Sequence, residues 1–207
     1  MSGETGKLLE DFFKSFAITK PVEPLTKSFK DSLPAGYLGE LKSGKYENKA
    51  FNFSLEVAKD WINVPQAKFE KYPLTEENGS KESFQHTIPI FYLLKRPVGE
   101  RPFGGLNIVI EKIISRGISL KHLAELDRNS AARNTSAMPS RDLEEEIING
   151  RQFAKFGMEL PIAGGILKQM TYFTSIRGYA IVFHLHYFDD AELHELEGFM
   201  RTLRFNQ

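Results

Sequence analysis

The last third of the sequence closes with a dense run of β-branched and aromatic residues that passes directly into an amphipathic helix. In residues 176–188, Tyr179, Ile181, Phe183, Leu185 and Tyr187 share one face of a strand. Ala180, Val182, His184, His186 and Phe188 share the other. Both faces are largely apolar, the pattern of an interior strand covered on both sides. Asp189 or Asp190 supplies a helix N-cap, and Glu192 and Glu195 suit the positive end of the helix dipole. Leu193, Leu196, Phe199, Met200 and Leu203 then form one apolar stripe, with Arg201 and Arg204 near the negative end. Burying each large side chain of such a stripe contributes ~1.5–3 kcal/mol. Residues 177–188 are therefore expected at the centre of a sheet, with the C-terminal helix laid across one face.

The remaining pattern supplies partners for that strand. Residues 44–48 and 51–57 read as a hairpin turning at Asn48 and Lys49, with Phe51, Phe53, Leu55 and Val57 on one face. Trp61, the single tryptophan, is expected to cap the core at the end of this unit. Residues 65–85 read as a polar loop or weak helix. Residues 87–94 and 106–114 read as two strands joined by a Pro/Gly-rich loop, with Pro89 marking an edge or a bulge. Ser119 caps a helix expected to run to Asn134. Ser140 is expected to cap a second, short helix over 141–148, which Asn149 and Gly150 end. Residues 152–160, 166–174 and the strand described first are joined by short turns, which implies an antiparallel meander. The class is α+β: an α/β/α sandwich around a central antiparallel sheet of about six to seven strands.

Residues 1–43 form a separate unit in this reading, and 44–207 form the domain. Leu8, Leu9, Phe12, Phe13 and Phe16 lie on one side of an N-terminal helix bounded by Gly3, Gly6, Pro21 and Pro24. Its polar side mixes Lys7, Glu10, Asp11 and Lys14, which does not favour anionic lipid. It is expected to pack on the domain, on a second copy of the chain or on another protein, through Leu8, Phe12, Phe13 and Phe16. Residues 20–43 read as an extended connector.

Charge and composition exclude several functions. Twenty-seven basic residues balance twenty-seven acidic ones, so the total charge gives no footprint for nucleic acid. No run of eighteen apolar residues is present to span a bilayer. The absence of cysteine excludes disulfides, thiol nucleophiles and zinc–thiolate sites. No apolar signal region opens the sequence, so a soluble, cytoplasmic protein is expected, or an envelope or secreted one if a signal segment was removed.

The residues just described resemble a known family. Gly44 to Asn48, followed by Phe51 to Leu55 and then Asp60 and Trp61, is similar to the opening hairpin of the PsbP/Mog-like proteins. Thr171 to Thr174, Arg177 to Phe183 and the closing Leu203, Arg204 and Phe205 are similar to their end, and the helix after Ser119 sits where that family places one. The resemblance covers roughly 44–205 and its motifs are structural. It implies an α/β/α sandwich and action by binding other proteins rather than by catalysis. The family includes extrinsic photosystem II subunits, a Ran-binding nuclear protein and many bacterial proteins of unknown role. None of their contact residues maps onto this sequence.

Candidate sites are few. His184 and His186 place two imidazoles on one side of a strand, about 6–7 Å apart. That spacing suits a metal, with His194, Asp189 or Asp190 as further ligands; the alternative is a buried, neutral pair under a helix. Glu144, Glu145 and Glu146 form an acidic run, either a solvated face or a docking patch for a basic partner. Lys95, Arg96 and Arg101 flank the Pro/Gly loop, either as a plain hairpin tip or as an anion contact. No phosphate-binding glycine motif and no serine-nucleophile elbow is present. No cofactor is expected. A non-catalytic protein- or ligand-binding or assembly module is the leading expectation, with a metal-dependent or hydrolytic enzyme using His184 and His186 as the alternative. A homo-oligomer joined through the N-terminal helix is the third.

Overall fold

A computed structural model describes residues 33–65, 84–96, 104–113, 117–134, 136–162 and 165–206. The elements in order are β1 (Glu40–Lys42), β2 (Lys45–Asn48), β3 (Phe53–Glu56), β4 (Ile62–Asn63), β5 (Phe84–Leu94), β6 (Gly105–Ile113), α1 (Leu120–Asn134), β7 (Met138–Ile148), β8 (Arg151–Ile162), β9 (Gly165–Ile176), β10 (Tyr179–Tyr187), α2 (Asp190–Thr202) and β11 (Arg204–Phe205). Seven strands form one antiparallel sheet in the order β4-β5-β6-β10-β9-β8-β7. The run expected at the centre is there: β10 is the fourth of seven, paired to β6 and β9 along its length.

Its two faces feed separate cores. Ile181, Phe183 and Leu185 pack with Leu193, Leu196, Phe199 and Met200 of α2. Ala180 and Val182 pack with Leu123, Ala124 and Ala131 of α1 on the opposite side. The layers are thus α1, the seven-stranded sheet, and α2 beside a second sheet, which is the expected α/β/α sandwich. Ser119 caps α1, its hydroxyl accepting from the His122 amide at 3.1 Å. Asp189 is the N-cap of α2, its carboxylate accepting from the Glu192 amide at 2.9 Å.

The strand number matches the expectation, but two of its contributors differ. Residues 44–57 belong to a second, four-stranded sheet, β1-β2-β3-β11, which shares a core with α2. Part of the expected connector contributes too: Glu40–Lys42 is β1, and Leu33, Tyr37, Leu38 and Leu41 pack on that core. The second correction is β7. Residues 141–148, expected as a short helix, continue an eleven-residue strand paired to β8. Asn149 and Gly150 do not end a helix. Both have positive φ, 49° and 81°, and Ile148 pairs with Arg151 across them. That is the two-residue hairpin turn whose twist matches the strands it joins. Arg177 and Gly178 join β9 to β10 with the same signs of φ.

Pro89 sits at a register shift between β5 and β6, in a stretch of β5 beyond the reach of β4. A residue without an N–H fits such a bulge. Trp61 is buried and meets Phe199 edge-on at 5.0 Å between ring centres, capping the core as expected. Its indole N–H donates to Glu195 Oε1 at 2.9 Å, the same oxygen that receives Lys95 Nζ.

Candidate functional site

A group of buried polar residues collects on the α1 face of the sheet. Tyr92, Asn107, His184 and Thr171 pair in one cross-strand row over β5, β6, β10 and β9. His186 and Gln169 pair in the next row. All six are buried. The alternation of β10 puts both histidines on this face, and their ring centres are 6.1 Å apart. Gln169 Nε2 lies 3.1 Å and Thr171 Oγ1 3.2 Å from His184 Nδ1.

Burial sets the chemistry of the pair. Loss of hydration penalises the charged imidazolium, which pushes His184 down to about 4 and His186 well below its ordinary value. The proximity of His184 lowers His186 further. The rings are neutral at physiological pH and poor reservoirs for a proton. Among the described residues, no group of three His, Asp or Glu side chains converges. His194, Asp189 and Asp190 belong to α2 and its cap, and α2 packs on the other face of β10.

The polypeptide backbone presents a different kind of site at the far end of the same sheet. Among the described residues β7 is the outermost strand, and eleven residues are long for an edge. Its turn chemistry fixes its register from Ile148 back to Glu144, opposite Arg151 to Lys155. Register shifts then interrupt it around Arg141, opposite Gly157. A Cβ at Gly157 would stand 2.9 Å from Ser140 Oγ and 3.0 Å from Arg141 Cβ, so glycine there lets the bulged strand close in. The acidic run lies on the regular part. Lys155 of β8 holds Glu146 at 2.8 Å and Glu144 at 3.7 Å, and Gln152 donates to Glu145 at 3.1 Å. Ile147 is 74% exposed on the same strand and Met138 56%.

The histidine pair and the acidic run are both legible in the sequence, but the helical propensity of three glutamates masks the strand that carries the run. Asn149 followed by Gly150 was the signal that marked a hairpin instead. Leu8, Phe12, Phe13 and Phe16 lie outside the described residues, as do Arg101 and most of the Pro/Gly loop.

Layer order, sheet order and the helix on each face define an α+β protein of PsbP-like fold. The solution structure of cyanobacterial PsbP (CyanoP) from Synechocystis sp. PCC 6803 superposes with a TM-score of 0.51 at 12% identity, covering 82% of this chain and 99% of that one. LpqN, described as involved in cell envelope biogenesis of Mycobacterium tuberculosis, gives 0.45 at 14% identity over 75% and 83% of the two chains. A Bacteroides thetaiotaomicron protein gives 0.48 at 14% identity over 81% of this chain and 50% of its own. No protein-family model matches the sequence, and no curated protein matches it. Among the described residues, no helix is long and apolar enough to cross a membrane.

Proposed function

We propose that this chain is a non-catalytic binding and assembly module of the PsbP/Mog-like family, and that it works by engaging another protein. The observation that carries this reading is the β7 edge of the large sheet, which no other described strand covers. Its regular part, Glu144–Ile148, offers backbone donors and acceptors beside the exposed Ile147. Exposed edges of this length are templates for pairing with another chain. The alternative, a metal-dependent or hydrolytic enzyme built on His184 and His186, is not favoured. Both rings are buried, no third His, Asp or Glu converges on them among the described residues, and His184 meets an amide and a hydroxyl rather than a carboxylate. The helix face of Leu8, Phe12, Phe13 and Phe16 is proposed as a second contact, with a further copy of the chain or with the partner. Unchanged mass in solution after removal of residues 1–20 rejects self-association through it.

A photo-crosslinking residue at Ile147, compared with one at exposed Lys121 on α1, tests the module reading in extract of the source organism. The expected result is one discrete protein adduct from position 147 and none from 121. Absence of an adduct from either position, with the protein folded, overturns it.

A further inference from the structure

We infer that β7 receives an extended, basic segment of a partner protein as an added strand along Glu144–Ile148, an inference that rests on the binding-module reading above. Three observations support it. The first is the direction of the backbone groups. A two-residue turn closes on a hydrogen-bonded pair, here Ile148 with Arg151. Alternation then points Glu146 and Glu144 inward to β8, and leaves the N–H and C=O of Ile147 and Glu145 directed away from the sheet. Two outward residues with regular register between them are the minimum ladder for an incoming strand. On the N-terminal side, the irregular register around Arg141 and the imide of Pro139 blunt the edge.

The second is charge. β7 carries Arg141 against Asp142, Glu144, Glu145 and Glu146. Among the described residues, Lys155 holds Glu144 and Glu146 from the β8 side, and their side chains stay 64% and 41% exposed. Any antiparallel self-pairing centred within 144–146 sets glutamate against glutamate, and like charges directly opposite destabilise a strand pair. A second copy is thus disfavoured, and lysine or arginine at alternate positions of a different chain is favoured. The third is Ile147, which shares a face with Glu145 and is exposed beside the outward backbone groups. It offers an apolar contact for one aliphatic residue of the incoming strand.

The test uses the full chain and two labelled nine-residue peptides, one alternating Lys with Val and one alternating Glu with Val. Fluorescence anisotropy should show the Lys peptide binding at least about tenfold more tightly, with the preference shrinking as salt is raised. Bound peptide should slow hydrogen exchange at the Glu145 and Ile147 amides. Ile147→Pro removes one outward N–H without touching the β8 ladder, so it should abolish binding while keeping the circular dichroism of the native protein. If that variant unfolds, Glu145→Lys serves instead, and it should narrow or reverse the peptide preference. Equal binding of both peptides, or tight binding that survives Ile147→Pro with no exchange protection on β7, overturns strand addition. A crosslinked partner obtained together with these negative results leaves the binding-module reading standing and removes only this inference. Loss of both removes both.

Discussion

His184 shows how a single position couples sequence pattern to stability. Alternation alone placed it on the same face as Val182. Its burial fits a strand read as covered on both sides; its partners Gln169 and Thr171, which come from β9, are what no local pattern revealed. The pKa of about 4 in the folded chain lies below the 6.5 of an exposed imidazole. Between those values the unfolded chain takes up a proton that the folded chain refuses. The contribution of this group is therefore complete above about pH 6.5, declines as pH falls, and is lost by about pH 4, amounting to about 3 kcal/mol. Urea titrations across this range should show His184→Gln with a flatter pH dependence than the native protein. Equal slopes would mean that His184 is hydrated in the folded state. Gly105 is a second instructive residue. A Cβ there would stand 2.7 Å from the Leu93 carbonyl oxygen, so Gly105→Ala should cost about 1–3 kcal/mol, read as a lowered urea midpoint.

At the level of elements, the two strongest periodic signals, β10 and α2, were legible from residues alone, caps included. The failure at β7 has a physical cause. Glutamate favours helix, and Leu143, Ile147 and Ile148 fall at helical spacing, so local propensity pointed to a helix. Pairing with β8 overrode it, because Phe153, Ala154 and Phe156 already committed β8 to the core, and a buried strand needs a partner on each side. Asn149 is placed to stabilise the hairpin and α2 together. Its side-chain amide donates to the carbonyls of Arg201 at 2.9 Å and Leu203 at 2.7 Å, closing the end of the helix. Asn149→Ala loses both bonds and strains a positive φ, so thermal melting should report about 1–3 kcal/mol of destabilisation. An unchanged melting temperature would show that these bonds contribute nothing net. Asp189→Ala, which removes the α2 N-cap, should cost about 1 kcal/mol in the same assay.

On the scale of the molecule, the two sheets share one aromatic core. Phe53 of β3 meets Phe183 of β10 at 5.9 Å and Phe205 of β11 at 6.3 Å, and Phe153 of β8 meets both of those rings. Tyr46 of β2 stacks on Phe91 of β5 at 4.0 Å. Unfolding followed by Trp61 fluorescence and by far-ultraviolet circular dichroism should therefore coincide in denaturant. Separate midpoints would show that the small sheet melts by itself. Phe183→Ala, which empties the centre of this aromatic cluster, should cost about 3–5 kcal/mol by either probe.

Periodicity, caps and turn residues are properties of a few neighbouring side chains, and for that reason the central strand, both long helices, the meander and the α+β class are legible without coordinates. Which sheet the hairpin at 44–57 joins, and whether residues 141–148 form helix or strand, follow from long-range packing. Those outcomes depend on contacts with Phe205, Phe183 and β8, residues distant or differently faced in the chain. The polar partners of His184 on β9 and the place of β7 at the margin of the described sheet are consequences of that same long-range packing.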